Sequence, residues 1–131
     1  MSTNVNSDTI TRGIRVEVYP EFVPEHSDAD NNSFYFKYRI VITNNSDTGV
    51  TLVSRHWEII NSEGDSEVVD GPGVVGKTPY LEPGDDYEYE SYCPLDTSWG
   101  TMEGSYQMQD DNGDSFDVEI GRFYLTVPVT V

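Results

Sequence analysis

The stretch Gly71-Pro72-Gly73-Val74-Val75-Gly76-Lys77-Thr78 has the most suggestive spacing in the chain. Its glycines satisfy G-x-G-x-x-G, the pattern of a dinucleotide-binding turn. The same residues satisfy G-x-x-x-x-G-K-[ST], the pattern of a phosphate-cradling loop. Both patterns work where the loop opens a helix whose first amides and dipole hold the phosphate. Here Pro79 and Pro83-Gly84 follow at once, and a helix cannot run through such a segment. Nucleotide hydrolysis is therefore not expected. Two readings of Gly71, Gly73, Gly76 and Lys77 stay open. In one, backbone amides form an anion nest for phosphate, pyrophosphate or a nucleotide, with Lys77 and Arg55 adding charge. In the other, the glycines build a tight inter-strand loop that needs positive φ.

Arg55-His56-Trp57 is the second feature. A tryptophan in the third strand of a sandwich belongs to the core. Arg55 and His56 are then expected to face outward beside it, and the alternative is a binding face. Metal chemistry finds less support. Asp28-x-Asp30-x-Asn32 and Asp110-x-Asn112-x-Asp114 begin like a calcium loop. Both lack the glycine at position six and the glutamate at position twelve. His26 and His56 show no ligand spacing, and one cysteine makes no structural zinc set. Neither metal nor cofactor is expected. Cys93 with His56 is the one nucleophilic pairing available, but a lone cysteine beside Pro94 on a strand is expected to be buried and inert. The chain is not expected to be an enzyme.

The elements that position these residues are strands. Ile14, Val16 and Val18 alternate with polar residues, as do Phe34 to Ile42, Tyr87 with Tyr89, Met102 to Met108, and Phe116 to Ile120. Period-2 alternation of this kind marks half-buried strands. Further runs cover about Val50 to Ile60 and Val68-Val69. Asn44 to Gly49, Asn61 to Asp65 and Asp110 to Asp114 are turn clusters, the last containing Asn112-Gly113, a strong hairpin signal. The apolar phase slips by one residue across Gly121-Arg122, which predicts a β-bulge. The spacing predicts an all-β, antiparallel sandwich of seven or eight strands in one domain, residues 10–131. Residues 1–9 read as a flexible tail and Glu25 to Asn32 as a polar loop.

The 131 residues carry 24 acidic and 7 basic side chains, for a formal charge of −17. A surface of this kind disfavours nucleic acid, whose binding needs cations to displace counterions, and anionic membranes. It suits screening in a salt-rich cytoplasm, or a basic partner. Met1 to Asp8 has neither a basic nor an apolar region, and a single cysteine forms no intrachain disulfide, so a cytoplasmic location is expected. Free sandwich edges can pair across chains, which would give a homodimer.

A longer pattern joins these pieces. Gly71-x-Gly73-Val74-Val75-Gly76, then Pro79, Leu81, Pro83-Gly84 and Tyr87-x-Tyr89-x-Ser91, continue through Leu95, Thr97 and Gly100. Met102-x-Gly104-x-Tyr106-x-Met108 follows, and Phe116, Ile120, Phe123 and Leu125 close it. This pattern resembles the signature of the ApaG (CorD) family, and Arg55-His56-Trp57 is similar to that family's Arg-aromatic-Trp element. Lys77-Thr78, Tyr92 and the extreme acidity depart from it. The resemblance implies an immunoglobulin-like or fibronectin type III-like fold. It implies a non-catalytic, protein-binding module associated with divalent-cation (cobalt and magnesium) homeostasis.

Overall fold

The computed structural model describes residues 5–128. Among the described residues nine strands run in chain order: β1 (Ser7–Thr11), β2 (Ile14–Phe22), β3 (Phe34–Asn44), β4 (Val50–Asn61), β5 (Ser66–Pro72), β6 (Tyr80–Leu81), β7 (Asp86–Leu95), β8 (Trp99–Asp110) and β9 (Ser115–Thr126). One sheet has the order β1-β2-β3-β7. The other has the order β5-β4-β8-β9, with β6 pairing to β4 beyond the end of β5. All pairings are antiparallel. The two sheets face each other as an immunoglobulin-like, fibronectin type III-like sandwich.

The alternation read from the sequence sets the two faces. Val16, Val18, Phe36, Tyr38, Ile40 and Ile42 from one sheet meet Leu52, Trp57, Met102, Tyr106, Met108, Val118 and Phe123 from the other, all buried. Trp57 and Phe123 meet edge to face, with ring centroids 5.8 Å apart, a favoured aromatic geometry.

The nine strands are one or two more than the seven or eight expected, and two of them were not foreseen. One is the short β6. The other, β1, corrects the tail expected over residues 1–9: Ser7, Asp8 and Thr9 lie in a strand, and residues 1–4 fall outside the described residues. Side chains hold β1 where its own apolar content does not. Ser7 donates to the Gly121 carbonyl at 2.7 Å and Thr9 to the Glu119 carbonyl at 2.8 Å. In this way β1 ties β2 in one sheet to β9 in the other and closes one side of the sandwich. The opposite side, between β7 and β5, stays open.

The bulge predicted at Gly121-Arg122 is present. Met102 pairs with Phe123 while Gly104 pairs with Ile120, so Glu103 stands against two residues. Arg122 reaches back to Glu103 at 2.7 Å. Asn112-Gly113 forms the β8–β9 turn, with Gly113 at φ 87°. The Asp110 carboxylate accepts the Asn112 and Asp114 amides there, as a turn aspartate does. Two 3₁₀ turns, Pro24–His26 and Ala29–Asn31, occupy the expected polar loop.

Candidate functional site

Arg55 organises the site. A second bulge in β4, between Leu52 and Ser54, changes which residues point inward. Arg55 pairs directly with Tyr106, which is fully buried. Directly opposed residues of an antiparallel pair share a face, so Arg55 points between the sheets and not outward as expected. Alternation already places residues 55 and 57 on one face. His56 alone points away.

The guanidinium ends against the glycine segment. One Arg55 Nη donates to the Pro72 carbonyl at 2.9 Å and the Gly73 carbonyl at 3.0 Å. Gly71 lies opposite Arg55 in the β4–β5 pairing. A β-carbon at residue 71 would approach the guanidinium to 2.8 Å, so Gly71 leaves the space that Arg55 fills. Gly71 and Pro72 end β5. Beyond them, Val74 and Lys77 exchange two backbone hydrogen bonds of 2.8 and 3.0 Å, closing a two-residue turn over Val75-Gly76. Both turn residues have positive φ, 47° and 78°, as a primed hairpin turn requires. Gly76 adopts this freely. Val75 is β-branched, and there it is strained. Val74 is buried in the core, whereas Val75 is 61% exposed at the tip.

The inter-strand loop is therefore the reading the geometry supports, since Lys77 leads through Thr78 and Pro79 into the strand β6 and opens no helix. Gly73 donates its amide to Val53, and the Val74 and Lys77 amides close the turn. Three of the amides that would line an anion nest are already engaged, and Arg55 is directed at carbonyl oxygens. Lys77 stands exposed at the end of the turn.

Behind Arg55 lies a polar interior that alternation did not reveal. Tyr89 of β7 and Tyr106 of β8 join hydroxyl to hydroxyl across the sandwich. Burial pushes the Tyr89 phenol up, and the Tyr106 phenol well up. Burial also raises Tyr38, with Ser91 as its hydrogen-bond partner. The signal available was tyrosine, not phenylalanine, at positions 38, 89 and 106: an inward hydroxyl needs a partner.

The other candidates separate. Trp57 is buried, 3% exposed, in the core. His56 lies on the outer face of its sheet, with Nδ1 2.6 Å from Asp70 and Nε2 3.7 Å from Glu58. The hydrogen bond to Asp70 raises its pKa. Cys93 is buried. Burial, with Glu67 adding to it, pushes its thiol up to about 12. Such a thiol is protonated at neutral pH. Among the described residues no cluster of three or more metal-ligating side chains occurs, and no helix is long and apolar enough to cross a membrane.

The fold and site define a class: an antiparallel β-sandwich that carries an arginine-clamped glycine hairpin at one edge. A family model described as the ApaG domain matches residues 24–110. The chain is 49% identical over 120 residues to Protein ApaG of Beijerinckia indica, covering 92% of each chain. It is 50% identical over 119 residues to Protein ApaG of Rhizobium etli, covering 91% of this chain and 92% of that one. A crystal structure of an ApaA protein from Bordetella pertussis superposes with a TM-score of 0.87 at 40% identity, covering 97% of this chain and all of that one. The chain belongs to the ApaG domain family. A C-terminal domain of wzt, 11% identical with a TM-score of 0.58, shares the fold alone.

Proposed function

We propose that this chain is a non-catalytic, protein-binding domain that presents the Arg55-clamped hairpin to its partner. One observation carries the reading. Val75 holds a strained conformation while contributing its side chain to solvent. Backbone strain persists where surrounding structure enforces it, and it concentrates at recognition sites. Arg55 and the buried Val74 supply that enforcement. An exposed apolar residue on a rigid loop makes a contact at small ordering cost. The engaged amides of Gly73, Val74 and Lys77 weigh against the anion-binding alternative.

The resemblance to a family linked with cobalt and magnesium homeostasis makes components of divalent-cation transport the first partners to test. The experiment is affinity capture from native cell extract with the wild-type chain and with Val75→Asn. Asparagine tolerates the left-handed region, so the variant should melt higher, by about 1 kcal/mol of strain relieved, while losing the partner. Equal capture by both would refute a role for the hairpin tip.

A further inference from the structure

β7 and β5 are the terminal strands of their sheets, and they lie on the same open side of the sandwich. Two adjoining cavities run between them, of about 290 and 460 Å³. Both are lined by Ile59, Glu67 and Pro94, so together they form one continuous groove. Its floor is apolar, with Ile59 between the two cavities and Val69 toward Arg55. One end is acidic, with Asp65, Glu67 and Asp96. At the other end Tyr92 forms the lip. It is 51% exposed, backed by Tyr35 with ring centroids 5.3 Å apart.

The geometry points to this groove as the docking site for an extended, basic peptide segment of a partner protein, laid along β7 as an added strand. Terminal strands offer unpaired backbone groups, and strand addition is a recurring mode of peptide recognition. The charges select the occupant. Asp86, Glu88 and Glu90 continue the acidic character along exposed positions of β7. A second copy pairing through β7 would set these rows against each other, which is unfavourable. The peptide side chains turned inward are apolar and face Ile59 and Val69, and the alternate lysine or arginine side chains, turned outward, lie beside Glu88 and Glu90 of β7. Glu67 shares the inner face with Ile59 but is itself exposed, and with Asp65 and Asp96 it draws the basic segment to the mouth of the groove. Tyr92 is the aromatic anchor, the residue type that dominates interface energetics. The Arg55 end repels a cation, and its guanidinium is occupied by Pro72 and Gly73. It therefore takes an apolar residue of the peptide. The groove is lined by residues 91–95 of β7 and by Asp96 just after it, so a strand laid alongside at about 3.3 Å per residue is about six residues long.

The inference rests on the reading of the chain as a protein-binding domain and names the chemistry of its partner. The test is an NMR titration of the full chain with a capped hexapeptide of alternating lysine and valine, with a glutamate–valine peptide as control. Amide shifts should concentrate in β5 and β7. Glu67→Lys and Tyr92→Ala should each weaken binding by about fivefold or more, about 1 kcal/mol. Tyr124→Ala and Asp47→Lys, exposed and away from the groove, should leave it unchanged. Four results overturn the proposal: no shift at millimolar peptide, shifts spread over the whole acidic surface, equal weakening by Asp47→Lys and Glu67→Lys, or equal shifts from lysine amide and valine amide alone. If the peptide fails while capture still depends on Val75, the groove is wrong and the binding-domain reading stands.

Discussion

Tyr89 and Tyr106 meet hydroxyl to hydroxyl in the interior, one from the edge strand β7 and one from the central strand β8. The pair fastens the two sheets on the side that β1 does not close. Each hydroxyl satisfies the other in a place where water cannot. Tyr89→Phe should therefore leave the Tyr106 hydroxyl buried without its partner, at a cost of about 1–3 kcal/mol. The double variant with phenylalanine at both positions should recover much of that loss, because no orphan remains. Denaturant midpoints of the four proteins measure the coupling. Strict additivity would mean that the two hydroxyls do not depend on each other.

Arg55 and Gly71 form a second coupled pair. Arg55→Ala removes a charged donor from two carbonyls and should cost about 2 kcal/mol. It should also speed hydrogen exchange at Gly73, whose amide bonds to Val53. Gly71→Ala pushes a methyl group to within 2.8 Å of the guanidinium. An arginine terminus can swing away, so the expected loss is the clamp and not the fold. In the Arg55→Ala background the Gly71→Ala change should then cost little. A full additional loss in that background would locate the role of Gly71 in backbone conformation.

The sandwich was legible because alternation is written residue by residue. Ile14 to Val18, Phe36 to Ile42 and Phe116 to Ile120 each show one apolar face. The slip at Gly121-Arg122 was legible for the same reason. β1 was not, since Ser7 and Thr9 are held by hydroxyl bonds to β9 and carry no apolar periodicity. The glycine loop was legible as a turn from its prolines. The inward direction of Arg55 was legible as well, because alternation puts it on the same face as the core residue Trp57. What was hidden is that the Pro72 and Gly73 carbonyls receive its guanidinium. The groove was hidden because it depends on which strands end their sheets. Sequence order does not give that: β7 lies beside β3, and β5 beside β4.

His56 and Asp70 link β4 to β5 on the outer face, with Glu58 on the same strand. The Asp70 hydrogen bond, then the two carboxylate charges, raise the imidazole pKa above its ordinary 6.5. A raised pKa means that the folded chain holds the proton more tightly. The stabilisation is complete below about pH 6.5 and disappears as pH rises through the folded value. The pair is exposed and screened, so its worth is about 0.5 kcal/mol. His56→Gln should lower the melting temperature at about pH 5.5 and leave it unchanged near pH 9. Asp70→Asn should shift the imidazole titration, followed by NMR, back toward lower pH. A loss of stability in His56→Gln that is the same at both pH values would assign His56 a packing role in place of an electrostatic one.

Cys93 lies beneath the groove, between the β7 backbone and the apolar floor. Burial, reinforced by the nearby Glu67 charge, pushes its thiol up to about 12. Only the thiolate attacks alkylating reagents. Near pH 8 the thiolate fraction is then on the order of one in ten thousand, four units below that value. Iodoacetamide should leave the native chain unmodified for hours, and labelling should rise only through the unfolding transition. Glu67→Gln removes the one charge that raises the thiol. The change should bring the pKa down slightly without making the thiol reactive, because burial is the larger cause. Rapid labelling of the folded wild-type chain would mean that the groove opens deeply enough to bring Sγ into water. The floor assigned to the peptide would then be a mobile surface.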